Sequence, residues 1–133
     1  MAVRVFHRDS AEGRLPMIAE DARLVVWPGV GAWQANMNYV KMQPGEENIP
    51  HAHLESEDTI FVISGEGTVL DLDNDQSHVF GAGQVVFVPA GVRHQVCGNR
   101  GVEVESVGGP CPADVVGLRL AGLLTDEQIR NST

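Results

Sequence analysis

The densest group of metal-capable side chains in the sequence is Pro50-His51-Ala52-His53-Leu54-Glu55-Ser56-Glu57-Asp58. Two imidazoles two residues apart form a chelating pair when the backbone between them is extended, because alternate side chains of a strand share a face. Three further imidazoles, His7, His78 and His94, stand on other segments. Neutral imidazoles joined by a carboxylate suit a single divalent first-row ion such as Fe, Mn, Ni, Zn or Cu, and a set of fewer than six protein ligands on a six-coordinate ion leaves positions open. An ion held that way polarises a carbonyl, acidifies a bound water, or binds dioxygen beside a chelating substrate. An isolated HxH pair is more often a surface feature than a site, so the weight falls on what surrounds it.

The surroundings are patterned. Gly45 precedes His51 by a short fixed interval, and Gly65 closes the same stretch; further on come Gly83, Pro89-Ala90-Gly91 and His94. Together, segments 45–65 and 83–99 resemble the two conserved motifs of the cupin superfamily. The first motif runs from a glycine through HxH and an acid to a closing glycine, and the second from a glycine through PxG and a histidine to an asparagine. The final asparagine is displaced by one position here: Gly98 holds its place and Asn99 follows. The resemblance implies an all-β cupin jelly roll, a double-stranded β-helix barrel, with His51, His53, His94 and one carboxylate as ligands of one ion.

Which carboxylate completes the set depends on the direction of counting. Counting back from Gly65 with the family's spacing puts Asp58 at the acid position, whereas counting forward from His53 puts Glu57 there. Neighbours on a regular strand face opposite ways, so only one of them faces the barrel interior. Asp58 is favoured, because the distance to the closing glycine lies along a hydrogen-bonded strand while the turn after HxH varies in length; Glu57 is the alternative. Asp is one methylene shorter than the family's Glu, so it binds the ion weakly, binds through water, or leaves a three-histidine site. The resemblance also implies that Asp58, released from the ion, acts as a catalytic base.

The remaining reactive residues read as structural. His7 lies in a polar N-terminal segment and His78 follows a turn, while Arg93 and Cys97 have the opposite parity to His94 and should point away from the ion. The run 33–42 precedes the HxH segment and should line the pocket. Its polar residues Gln34, Asn36 and Asn38 share one parity, and Trp33, Met37, Tyr39 and Lys41 the other. The pattern leaves open which parity faces inward.

These residues need a scaffold of strands. Between 23 and 107 the chain alternates short apolar runs with Gly, Pro, Asn and Asp clusters at intervals of ~8–12 residues, the signature of a sandwich or barrel. The runs fall at 23–27, 33–42, 48–53, 58–64, 68–72, 78–80, 84–88, 93–97 and 102–107, about nine strands. After Gly108-Gly109-Pro110 the composition shifts to Leu118, Leu120, Leu123 and Leu124, and Thr125-Asp126-Glu127-Gln128 has the capping-box form. One or two short helices are expected over 113–130. At 133 residues and 43% hydrophobic, the chain 1–133 suits one domain with a real core.

Composition narrows the partners. A net charge of −9, with no block of Lys or Arg, disfavours nucleic acid and anionic membrane. No stretch approaches the ~20 apolar residues of a membrane span. Segment 1–16 mixes Arg, His, Asp and Glu and lacks a secretory signal's apolar centre, so a cytoplasmic location is expected. Cys97 and Cys111 are too few for a disulfide framework and are expected as free thiols, with Cys111 in an ordered loop between two prolines. Small cupins pair through sheet edges, which implies a homodimer.

The function implied is that of a metal-dependent monocupin enzyme acting on a small polar or oxygenated organic molecule. Dioxygenase-type oxidation comes first, followed by isomerase, cyclase or lyase chemistry. A non-catalytic small-molecule or sugar-binding module is the alternative, and a metal-free barrel using its histidines for proton transfer is a third reading. Pocket polarity separates the first two: ionisable groups beside the ion favour catalysis, and a sealed apolar pocket favours binding or storage.

Overall fold

The short β-rich runs form nine strands: β1 (Gly13–Arg14), β2 (Asp21–Val26), β3 (Met37–Met42), β4 (Glu57–Ser64), β5 (Glu66–Asp71), β6 (Gln76–Gly81), β7 (Val85–Val88), β8 (His94–Gly98) and β9 (Val104–Cys111). Two short helices follow, α1 (Val115–Leu120) and α2 (Asp126–Arg130). This computed structural model describes residues 2–99 and 101–132. Six strands form one sheet in the order β1-β2-β3-β9-β4-β7, and three form a second in the order β6-β5-β8. All neighbours are antiparallel, and the architecture is the expected all-β jelly roll with a helical C-terminal segment.

Strand β4 shows how sequence sets orientation. Asp58 and Val62 are buried and Ile60 is half-buried, while Glu57, Thr59, Phe61 and Ile63 are exposed, the two-residue period of a strand with one face to a core. Gly65 ends it at a φ of 89°, where a Cβ would lie 2.0 Å from the carbonyl oxygen of Glu103. Only glycine fits there, which fixes the register of β4 and hence the direction of Asp58.

Two apolar clusters hold the sheets together. Val62, with no exposed surface, packs among Met42, Phe80, Val86, Val88 and Val104. Leu24, Ala113, Leu118 and Leu124 form the second cluster and fasten the helices to the large sheet. Burying each Leu or Val side chain contributes about 1.5–3 kcal/mol. Helix α2 opens with the anticipated capping box: Thr125 accepts from the Gln128 N–H, and the Gln128 side chain accepts from the Thr125 N–H.

The structure differs from the sequence-based expectation in three places. Segment 48–53 is not a regular strand: it meets β8 through an isolated bridge, His51 opposite His94, just after a second at Glu47 opposite Cys97, and through Asn48, whose N–H donates to Val96 O and whose Oδ1 accepts from Val96 N–H. Strand β9 runs on through Gly108-Gly109-Pro110 to Cys111, so Cys111 lies in a strand, where it is exposed and free. The run 33–42 becomes a strand only from Met37.

Candidate metal centre

His51 and His94 face each other across their bridge, which is closed by both backbone hydrogen bonds: His51 N–H donates to His94 O at 3.0 Å, and His94 N–H to His51 O at 2.8 Å. His53 lies two residues beyond His51 on the same side, so the loosely paired segment still presents both imidazoles together. Ring centroids are separated by 4.8 Å (His51–His53), 4.4 Å (His51–His94) and 5.5 Å (His53–His94). One ligand atom from each of the three lies within 4.8 Å of the others.

Each ring is oriented by its second nitrogen. His51 Nδ1–H donates to Ile49 O at 2.6 Å, His94 Nδ1–H to Val92 O at 2.9 Å, and His53 Nδ1–H to Asp114 Oδ2 at 2.7 Å. A carbonyl or carboxylate only accepts, so a hydrogen sits on each Nδ1, and Nε2 is the atom that each ring, when neutral, offers to an ion. This tautomer control is the usual support of a metal-binding imidazole.

Asp58 adjoins the cluster and Glu57 does not. Asp58 is 6% exposed, and its Oδ2 lies 3.5 Å from His53 Nε2, whereas Glu57 is exposed on the outer face of β4. Asp58 Oδ1 is buried without a hydrogen-bond partner among the described residues. A buried carboxylate oxygen with nothing to bind is costly. The residues therefore fit a divalent ion: the three imidazoles each present a ligand atom within 4.8 Å of the others, and the Asp58 carboxylate, with one oxygen unsatisfied, adjoins them at His53.

The electrostatics match this arrangement. Burial pushes His51 and His94 below the ordinary imidazole range, which keeps them neutral, as ligation requires. Burial acts the same way on His53, but the hydrogen bonds to Asp114 and Asp58 outweigh it and raise its pKa to about 9. Asp114 is pushed up by burial but held below the usual carboxylate range by His53 and the Gly117 N–H. In the metal-free protein a proton on His53 thus fills part of the role of an ion between two carboxylates.

Asp114 is the functional residue that motif reading missed. It is the N-cap of α1, with Oδ1 accepting from Gly117 N–H at 3.0 Å while Oδ2 holds His53. Its sequence signal, an Asp ahead of Val115-Val116, reads as a cap and carries no hint of the histidine 61 residues away. The residues expected to stand apart do so: His7 caps a short turn, Arg93 is exposed, and Cys97 contacts Glu47.

The cluster opens into a cavity of about 820 Å³, with residues of α1 and α2 in its lining. Most of its wall is apolar, including Ile18, Trp33, Val40, Ile60, Val115 and Ile129. The undecided parity of the run 33–42 is settled here: Gln34, Asn36 and Asn38 line the cavity, and Tyr39 is buried on the other face between Arg8 and Arg23. The Oδ1 atoms of Asn36 and Asn38 are buried and unpartnered. Leaving such an amide oxygen unsatisfied costs about 1–3 kcal/mol.

Comparison with known proteins identifies the family and the fold. The family model described as "Cupin domain" matches residues 38–107, and the chain belongs to the cupin family. A putative germin-like protein 3-4 of Oryza sativa subsp. japonica is 36% identical over 74 residues, 51% of this chain and 32% of the relative. The chain thus spans about a third of the germin-like relatives it matches. Protein SchB of Streptomyces halstedii is 34% identical over 88 residues, 65% of this chain and 62% of that protein. Among solved structures, the polyketide cyclase RemF from Streptomyces resistomycificus superposes with a TM-score of 0.67 at 26% identity, covering 84% of this chain and 80% of its own. A predicted oxalate decarboxylase from Thermotoga maritima superposes at 0.66 with 16% identity, covering 82% and 99%, and shares the fold. Among the described residues no helix is long and apolar enough to cross a membrane.

Proposed function

We propose that the protein is a metal-dependent cupin enzyme that closes a ring in an oxygenated, largely apolar organic molecule. His51, His53, His94 and Asp58 hold the ion, and Asp58, released from it, acts as the base. The observation that carries this reading is the buried, unpaired Oδ1 of Asp58 at the junction of the histidine cluster and the apolar cavity. The likeness to RemF, a polyketide cyclase, supports ring closure over the other chemistries of such a site.

When bound, the ion supplies Lewis acidity, polarising a substrate carbonyl so that a neighbouring C–H becomes acidic. The chain's own residues do the rest. Asp58 Oδ1 accepts the proton from the carbon beside the carbonyl, and the carbanion so unmasked attacks a second carbonyl of the same molecule. The proton that Asp58 accepted passes to that second carbonyl's oxygen, which frees the carboxylate and leaves the closure redox-neutral. Asp114 keeps His53 in its ligating tautomer, and the apolar walls exclude water from the reacting chain. Two carboxylates beside the cluster favour catalysis over a storage or sugar-binding role.

Oxidation by dioxygen is the second reading, favoured by a donor set that leaves positions open on a six-coordinate ion. One experiment separates the two. Metal-loaded protein incubated anaerobically with a linear poly-β-ketone thioester is expected to give cyclised product with no oxygen consumed. Turnover that requires oxygen, with uptake matching product, would replace ring closure by oxidation. Tag-free protein that carries no metal and turns over nothing would sink both.

The exposed apolar residues Phe61 and Ile63 of β4 and Val85 and Phe87 of β7 form one outward face at the end of the large sheet. That face supports assembly as a homodimer, since an uncovered sheet end of this polarity favours pairing with a second copy.

A further inference from the structure

The cavity has a second polar spot, distinct from the histidine cluster. Asn36 is 8% exposed, and neither its side chain nor that of Asn38 makes a hydrogen bond to the described residues. The two amides converge: a Cβ on Gly109 would lie 3.0 Å from Asn36 Nδ2 and 3.1 Å from Asn38 Nδ2. Strand β9 therefore carries a glycine where any side chain would crowd them. Asn38 pairs with Gly108, Gly108 with Ile60, and Pro110 with Asp58, so β3 and β4 run parallel on either side of β9. Asn36 is then level with Asp58, two strand spacings away, roughly 9–10 Å across the sheet.

An unpaired amide pair in an apolar wall destabilises the fold unless something binds it. Each amide offers an acceptor and a donor head, the combination that a hydroxyl group satisfies in both directions. We infer that Asn36 and Asn38 are the anchor for a hydroxyl-bearing edge of the substrate, a phenol or enol, holding an otherwise apolar molecule so that its far end reaches Asp58 and the histidines. The ligand class is thus hydroxylated and mostly apolar, with oxygen substituents at two points separated by the width of two strands. This assignment rests on the cavity being the substrate site and makes the asparagines positioning residues.

The test is direct binding, read by calorimetry on the purified protein with 1,3-dihydroxynaphthalene and with naphthalene as the hydroxyl-free control. The wild type is expected to bind the diol more tightly than naphthalene. Asn36→Leu and Asn38→Leu should each weaken the diol by about 2- to 12-fold, the equivalent of one hydrogen bond, and leave naphthalene unchanged or tighter. Both variants should melt at or above the wild-type temperature, because they remove an unsatisfied amide and keep the volume. Asn36→Ala and Asn38→Ala give the same selectivity reading if a leucine prevents folding. Equal loss of both ligands, no loss of the diol, or no diol binding by the wild type overturns the assignment. The measurement needs no turnover, so a protein that shows the selective loss but binds no metal would refute the metal-dependent reading and leave the anchor standing.

Discussion

The two polar regions of the cavity are built in opposite ways. At the histidine end every Nδ1 has a partner, the three rings present a ligand atom each within 4.8 Å of one another, and Asp58 adjoins them at His53 with one oxygen unpaired. Along the cavity wall at β3 neither asparagine side chain has a hydrogen-bond partner among the described residues. The difference teaches what each region is for. A resident ion requires ligands locked in position and protonation state before it arrives, whereas a substrate that enters and leaves is met by groups whose hydrogen bonds are vacant until it does.

That contrast breaks most visibly at the ligands. His51→Ala or His94→Ala should empty the site, with metal content of tag-free protein falling to background by elemental analysis. Retention of metal in both would place the ion elsewhere. The effect should exceed that of Asp114→Asn, which still caps α1 but no longer offers His53 a charged acceptor. For that change a drop of about 10–100-fold in zinc affinity is expected from competition with a chromophoric chelator. An unchanged affinity would reduce Asp114 to a helix cap.

Smaller still is the loss expected from Asp58→Asn, about tenfold in zinc affinity, since a short aspartate is the weakest of the four ligands. Glu57→Gln, its exposed neighbour, should change nothing, and a reversed order of these two variants would restore Glu57 as the ligand. Saturating zinc, at a hundred times its dissociation constant, should add about 2.7 kcal/mol of stability to the wild type in thermal melts. Neither stabilisation nor metal content should respond to Phe87→Asp on the outer sheet face. That change should instead turn a dimer into a monomer by light scattering; a wild type that is already monomeric would remove the dimer proposal.

Much of this was legible in the sequence, because glycines and histidines at fixed intervals report backbone constraints directly. Gly65 is required by contact with Glu103 O, so counting back from it finds the inward-facing acid, Asp58. The parity of β3 was not legible, because both of its faces are covered. Tyr39 is buried on the outside beneath Arg8 and Arg23, with its hydroxyl on Glu105, while Asn36 and Asn38 look into the cavity. Asparagines beside Val40 and Met42 on the inner face, and a buried tyrosine on the outer one, blur the usual alternation. The reach of β9 was hidden by Gly108-Gly109-Pro110, which reads as a breaker but serves as the narrow floor between the asparagines and Asp58.

Asp114 joins two processes that would otherwise be independent. One of its oxygens starts a helix and the other holds a ligand. By thermodynamic reciprocity, anything that favours the ligating form of His53 also favours the docked start of α1, and to the same degree. Ion occupancy would thereby reach the helix that lines the cavity. Slower amide hydrogen exchange at Gly117 and Leu118 on loading is its expected signature: the wall beside the substrate stiffens when the ion is in place.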